Sequence, residues 1–219
     1  PFEKAFYDKH HVPCQFVGHT LADNIPLISD KREAREALGL NDTNKVLALM
    51  PGSRGGELSR LVQPFLETAK ILLAQDPNLV FVVPMITEYR AEQFSQLHQQ
   101  IAPEVPVKIF INKTQQVMAA RDCLLTASGT VTLEAALIKR PMVITYKFNW
   151  LTYQVGKLMV KLKHFSLPNL MANRALVPEL LQDEVTAENI VPLIKERLYK
   201  DQSELDIALT NLIVGIINE

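Results

Sequence analysis

The chain has 219 residues, 47% hydrophobic and 21% charged, with a net charge of −1 at neutral pH and a pI near 6.6. That length can bury a full core in one large or two small domains, and the balanced charge carries no signature of nucleic-acid binding or of an acidic partner. No apolar run approaches the roughly 20 residues that a spanning helix needs, and no signal peptide is visible.

The chain opens Pro-Phe-Glu, as a segment already in progress, so an upstream portion is expected. Residues 1–28 read as an interdomain linker: a charged helical start, the strand-like QFVGH, then a Pro-containing stretch. Cys14 here and Cys123 further on are too far apart in sequence to suggest a disulfide framework, which fits a reducing cytosol. Residues 29–200 then read as one domain. Ser29 or Asp30 is placed to cap a helix over KREAREALG, with Gly39 just past its end.

From residue 46 two periods alternate. VLALM (46–50), LVFVV (79–83), VKIFI (107–111), CLLTA (123–127) and MVITY (142–146) are short, nearly continuous apolar runs. Such runs are strands buried on both faces of a parallel sheet. Helical stretches lie between them: PFLETAKILLA, RAEQFSQLHQQ, TQQVMAARD and VTLEAALIK. Pro64 suits the first position of its helix, which makes Glu57–Val62 a separate short turn. Everything after residue 150 reads as helical, ending in an apolar helix over 203–218 within a C-terminal segment 201–219. That last helix packs either on an upstream half or on a second subunit of a homodimer; the sequence leaves both open. Strand–helix alternation at this spacing implies an α/β fold with a Rossmann-like, doubly wound parallel sheet.

Two loops carry the chemistry. Pro51-Gly52-Ser53-Arg54-Gly55-Gly56-Glu57 follows the first strand. Its glycines permit a tight turn and close approach to a ligand, the helix start offers amides to an anion, and Arg54 adds a fork suited to phosphate. It is neither a Walker A loop nor GxGxxG, and an ordinary turn with a solvated Arg is the plain alternative. Ala127-Ser128-Gly129-Thr130 follows the fourth strand, and Glu134 lies one helical turn beyond Thr130, about 6 Å along the axis. A diphosphate at Ser128–Thr130 would set its ribose near the Glu134 carboxylate, which can accept from vicinal hydroxyls. The alternative is a plain cap and a surface glutamate. In the common doubly wound order the first and fourth strands are neighbours at the switch point, so both loops would face one crevice.

Two weaker signals lie downstream. Phe165-Ser166-Leu167-Pro168-Asn169-Leu170 breaks the helical run; Asn169 offers an amide, and a capping Asn in a helix–helix turn is the default reading. Residues 150–163 place Leu151, Val155, Leu158, Met159 and Leu162 on one stripe beside Lys157, Lys161 and Lys163. Such a helix either packs in the core or against another domain, or lies on an anionic membrane, with Trp150, Tyr153, Lys157 and Lys161 as the membrane or interdomain contacts. No metal site is expected: His10 and His11 are adjacent, the other histidines are isolated, and no D-x-D pair occurs.

The stretches PFEKAFYDKHHVPCQFVGHTLAD, PGSRGGE, ASGTVTLEAAL, RPMVITYK and SLPNLMANRALVPELLQ, in this order over about residues 1–185, resemble the lipid A disaccharide synthase family. The resemblance implies the C-terminal, donor-binding domain of an inverting, metal-independent and cofactor-free GT-B glycosyltransferase. It implies transfer from UDP-2,3-diacylglucosamine to 2,3-diacylglucosamine 1-phosphate, releasing UDP and forming the lipid A disaccharide. A peripheral position at the cytoplasmic face of the bacterial inner membrane follows, with a UDP-sugar donor, an acylated sugar phosphate acceptor and the membrane surface as partners. By motif position, Arg54 and Asn169 are expected to matter for activity. Gly52, Ser53, Arg54, Ser128, Gly129, Thr130 and Glu134 are expected to hold UDP. The catalytic base is expected upstream, so the isolated chain would bind UDP and transfer nothing. Two other functions share such a fold: a UDP-N-acetylglucosamine 2-epimerase, and a nucleotide-sugar-binding module without chemistry. Uracil contacts are placed only by fold analogy, near Ile111–Lys113.

Overall fold

Asp30 begins the main body of the chain as the N-cap of helix α1 (Lys31–Ala37), its carboxylate accepting from the Arg32 and Glu33 amides. Gly39, at φ +60°, takes the left-handed position after the helix. The computed structural model describes residues 7–13, 30–148 and 164–218. The expected extra strand QFVGH, Cys14 and the basic amphipathic stretch with Trp150, Tyr153, Lys157 and Lys161 lie outside those residues.

The strands are β1 (Val46–Met50), β2 (Val80–Met85), β3 (Val107–Ile111), β4 (Cys123–Ala127), β5 (Met142–Tyr146) and β6 (Glu179–Leu181). They form one parallel sheet in the order β3-β2-β1-β4-β5-β6. The intervening helices are α2 (Gly55–Gln75), α3 (Glu88–Ile101), α4 (Thr114–Ala120), α5 (Val131–Leu137), α6 (Leu167–Ala172), α7 (Ala187–Tyr199) and α8 (Ser203–Asn218). One apolar core joins the sheet to α2, α3 and α7, and another joins its opposite face to α1, α4, α5 and α8. Helices on both faces of a parallel sheet make a Rossmann-like α/β domain.

Four strands fall where hydrophobic runs place them; β2 begins one residue later and extends two further. Three expectations need correction. Helix α2 runs unbroken through Pro64, which is buried together with Leu61, Val62, Phe65 and Leu66. Burial of that face against the sheet offsets the roughly 3 kcal/mol that an internal proline costs. The region after 150 is not all helical, because β6 pairs with β5 through Glu179–Leu181. Three residues are too few to show a period. Lastly, α8 places Leu205, Leu209 and Ile213 in this domain's own core, while Ile207 and Val214 remain exposed on its outer side.

At the amino end of the sheet, Asp122 ties three elements together. Its carboxylate accepts from the Val46 amide at 2.7 Å, from Arg35 at 2.6 Å and from Lys31 at 2.5 Å. Its own amide donates to the Val46 carbonyl at 2.8 Å. Next to it, burial pushes the Cys123 thiol up to about 12, so this cysteine packs as a small apolar side chain.

Burial alone would raise the Asp122 pKa, but the Lys31 bond, the Val46 amide and the charges of Lys31 and Arg35 outweigh it and hold the carboxyl below its usual range. A depressed folded-state pKa adds stability that is present above the unfolded-state value and lost as pH falls through the folded one. Asp122→Asn leaves the buried Arg35 unpaired. It is expected to destabilise the protein by about 3 kcal/mol at pH 7 in urea unfolding. The gap to the unaltered protein should narrow below about pH 4. A gap independent of pH would reject the ion-pair account.

Candidate nucleotide-binding cleft

The carboxyl ends of β1 and β4 lie side by side, with Met50 opposite Thr126. β2 pairs with β1 only as far as Val82, then continues beside β3 through Pro84 and Met85. Proline fits there because it has no amide to give to a β1 partner. Above these ends is a cleft of about 410 Å³, within the usual range for small-molecule sites.

Every residue expected to hold UDP lines this one cleft: Gly52, Ser53 and Arg54 on one wall, Ser128, Gly129, Thr130 and Glu134 on the other. Gly129 and Thr130 are exposed, and Ser128 and Glu134 are half-buried. A Cβ at Gly129 would meet nothing within 4 Å, so this turn borders open space.

The first loop organises itself around Glu57. One carboxylate oxygen accepts from the Ser53 amide at 3.0 Å and the Arg54 amide at 3.2 Å, and the other lies 3.5 Å from the Arg54 guanidinium. Gly52 has φ +110°, and a Cβ there would run into the Glu57 side chain. Its glycine is therefore explained by the loop itself, without a ligand. Two of the amides expected to face an anion are already satisfied. On the opposite wall the Ser128 amide donates to the Thr145 carbonyl at 2.8 Å and so belongs to the sheet. The side chains that line the cleft include Ser128, Thr130, Glu134 and the largely exposed Arg54.

Asn169 is elsewhere. It is buried, its Nδ2 donates to the Val177 carbonyl at 2.8 Å, and its Oδ1 accepts from the Leu176 and Val177 amides at 2.8 and 3.0 Å. It does not line the cleft. The geometry is that of a clamp between α6 and the segment leading to β6, close to the capping alternative. Glu179 reinforces the same junction by accepting from the Phe165 and Ser166 amides. Of the segment placed by analogy near uracil, Ile111, Asn112 and Lys113 do not line the cleft, but the next residue, Thr114, does.

Sequence reasoning missed Met85, Ile86 and Arg90, on the cleft wall at and beyond the end of β2. The available signal was positional: β2 flanks β1, so its following turn borders the same crevice. Among the described residues, no group of three or more His, Cys, Asp or Glu side chains is arranged to hold a metal. None of the described helices is long and apolar enough to cross a membrane.

Comparison with known proteins decides the family. The model of the lipid-A-disaccharide synthetase family matches residues 1–211. This chain belongs to that family. It is 67% identical over 210 residues to the lipid-A-disaccharide synthase of Colwellia psychrerythraea, covering 96% of this chain and 53% of that protein. The Vibrio campbellii synthase is 48% identical over 205 residues, covering 94% and 54%. The chain thus spans about half the length of these curated relatives. Among solved structures, WaaG, a glycosyltransferase involved in lipopolysaccharide biosynthesis, aligns with a TM-score of 0.54 at 19% identity, over 87% of this chain and 47% of that one. Escherichia coli ADP-heptose heptosyltransferase II aligns at 0.56 and 16%, over 80% and 52%. At such identities the likeness is one of fold, a Rossmann-like α/β domain.

Asn169→Ala strips three backbone groups of their partner, two of them on buried Val177. A loss of about 2–3 kcal/mol in urea unfolding is expected. An unchanged unfolding midpoint would return Asn169 to the list of residues kept for another purpose.

Proposed function

We propose that this chain is the donor-binding half of a lipid A disaccharide synthase. It would hold UDP-2,3-diacylglucosamine for transfer to 2,3-diacylglucosamine 1-phosphate. The carrying observation is convergence: Arg54 after β1 and the Ser128–Thr130 turn with Glu134 after β4 share one cleft at the carboxyl ends of adjacent strands. In this reading Arg54 and the Ser128 and Thr130 hydroxyls meet the diphosphate, and Glu134 accepts from the ribose hydroxyls.

The chemistry follows from those roles. Inverting transfer leaves negative charge on the departing UDP, and a guanidinium beside the diphosphate stabilises that charge as it develops. Deprotonation of the acceptor hydroxyl needs a general base, which this reading assigns to the other half of the protein. Asn169 contributes by holding the segment before β6 in place. The acyl chains on both substrates support a peripheral position at the cytoplasmic face of the inner membrane, with residues 150–163 as the contact. The exposed Ile207 and Val214 of α8 mark the side on which the other half of the protein or a second subunit would seat.

Isothermal titration with UDP, uridine and inorganic pyrophosphate tests the assignment. UDP should bind. Glu134→Ala should weaken UDP more than pyrophosphate, and equal losses would remove the ribose contact. Arg54→Ala should cost UDP about 1.5–3 kcal/mol of affinity, the worth of a charge-assisted bond. An unaltered UDP isotherm would refute its phosphate role. Residues 1–219 alone should release no disaccharide from the two acylated sugars; efficient synthesis would contradict the split between binding and base.

A further inference from the structure

Arg90 is the cleft cation for which neither the sequence motifs nor the family resemblance assigns a role. It sits in the first turn of α3, after β2, and its half-buried side chain lines the cleft. The guanidinium lies against the start of α2: a Cβ at Gly55 would fall 3.0 Å from Nη1 and 3.7 Å from Cζ and Nη2. A Cβ at 55 would press on the fork, which would have to give by a few tenths of an ångström.

Its partners hold it without cancelling its charge. Nη1 donates to Gln93 Oε1 at 2.6 Å, and Cζ stands 5.3 Å from the centre of the Tyr89 ring. Among the described residues no carboxylate lies within ion-pair distance of Arg90. Arg54 differs. It has Glu57 beside it, and that same carboxylate covers two of the loop amides. The first loop therefore offers a positive charge that is already partly neutralised, and Arg90 offers one that is not. A half-buried, pre-oriented guanidinium with donors to spare is suited to bidentate contact with phosphate oxygens.

We propose that Arg90 is a second diphosphate-binding residue of this cleft, closing on the diphosphate from the β2 side, and that Gly55 is glycine to leave its fork room. The proposal rests on the nucleotide reading above and adds a residue to it. Arg90 acts on the phosphates alone, so its contribution is separable from that of the nucleoside.

The test is a set of titrations of the protein with UDP, inorganic pyrophosphate and uridine. Arg90→Gln should weaken UDP and pyrophosphate alike, by roughly 10- to 100-fold, with uridine unchanged. Arg90→Lys, which keeps the charge and loses the fork, should fall between Gln and the unaltered protein. Gly55→Ala should reduce UDP affinity by a smaller factor with no drop in melting temperature, since alanine is at least as good a helix residue. UDP and pyrophosphate isotherms unchanged by Arg90→Gln would overturn the proposal. So would an equal loss for uridine, which signals a general distortion. If the unaltered protein does not bind UDP, the nucleotide reading fails. Arg90 is then judged on pyrophosphate alone, where matching titrations for the unaltered protein and Arg90→Gln overturn its role.

Discussion

The joint between β1 and β4 is the constraint on which the rest of this structure depends. Asp122 and Val46 exchange backbone and side-chain bonds at the amino ends of the two strands. That contact helps hold the register from Leu47 opposite Cys123 to Met50 opposite Thr126. Because parallel strands keep their direction, a register held at one end brings the opposite ends level. The two loops that follow, separated by more than seventy residues of chain, therefore emerge side by side. A slip of one residue would exchange the two buried faces of β4 between the two cores and shift its loop relative to Arg54.

The two ends of the sheet consequently do different work. The amino end is closed, with Asp122 committed to Lys31, Arg35 and Val46. The carboxyl end is open, because β2 leaves β1 at Val82 and the turns after β1, β2 and β4 stand around the gap. Within that opening Glu57 gives the first loop a fixed shape before any ligand arrives. Such preorganisation lowers the ordering cost of binding, although it also uses two amides that an anion would otherwise meet.

Belonging to the lipid-A-disaccharide synthetase family fixes the context in which this cleft is read, and the chain covers about half of its curated relatives. In the proposed function the nucleotide is held on this domain and the base lies in the other half of the protein. In that reading, charge developing on the leaving diphosphate would be met on this side, where Arg54 and Arg90 line the cleft.

The sequence by itself determined the alternation of strand and helix, because runs buried on both faces and amphipathic stretches have different periods. It also narrowed the first cap to Ser29 or Asp30, of which the structure uses Asp30, and it singled out the two loops whose residues meet in the cleft. Tertiary structure decided what local pattern cannot carry. Pro64 stays inside α2 because burial outweighs propensity, and β6 exists because β5 offers an edge to three residues that would not declare themselves alone. Asn169, a capping residue by local pattern, is shown to clamp Leu176 and Val177, and the glycine at 52 leaves room for Glu57. Arg90 entered the site for the complementary reason: its place beside Gly55 is created by strand order, which no window of sequence contains.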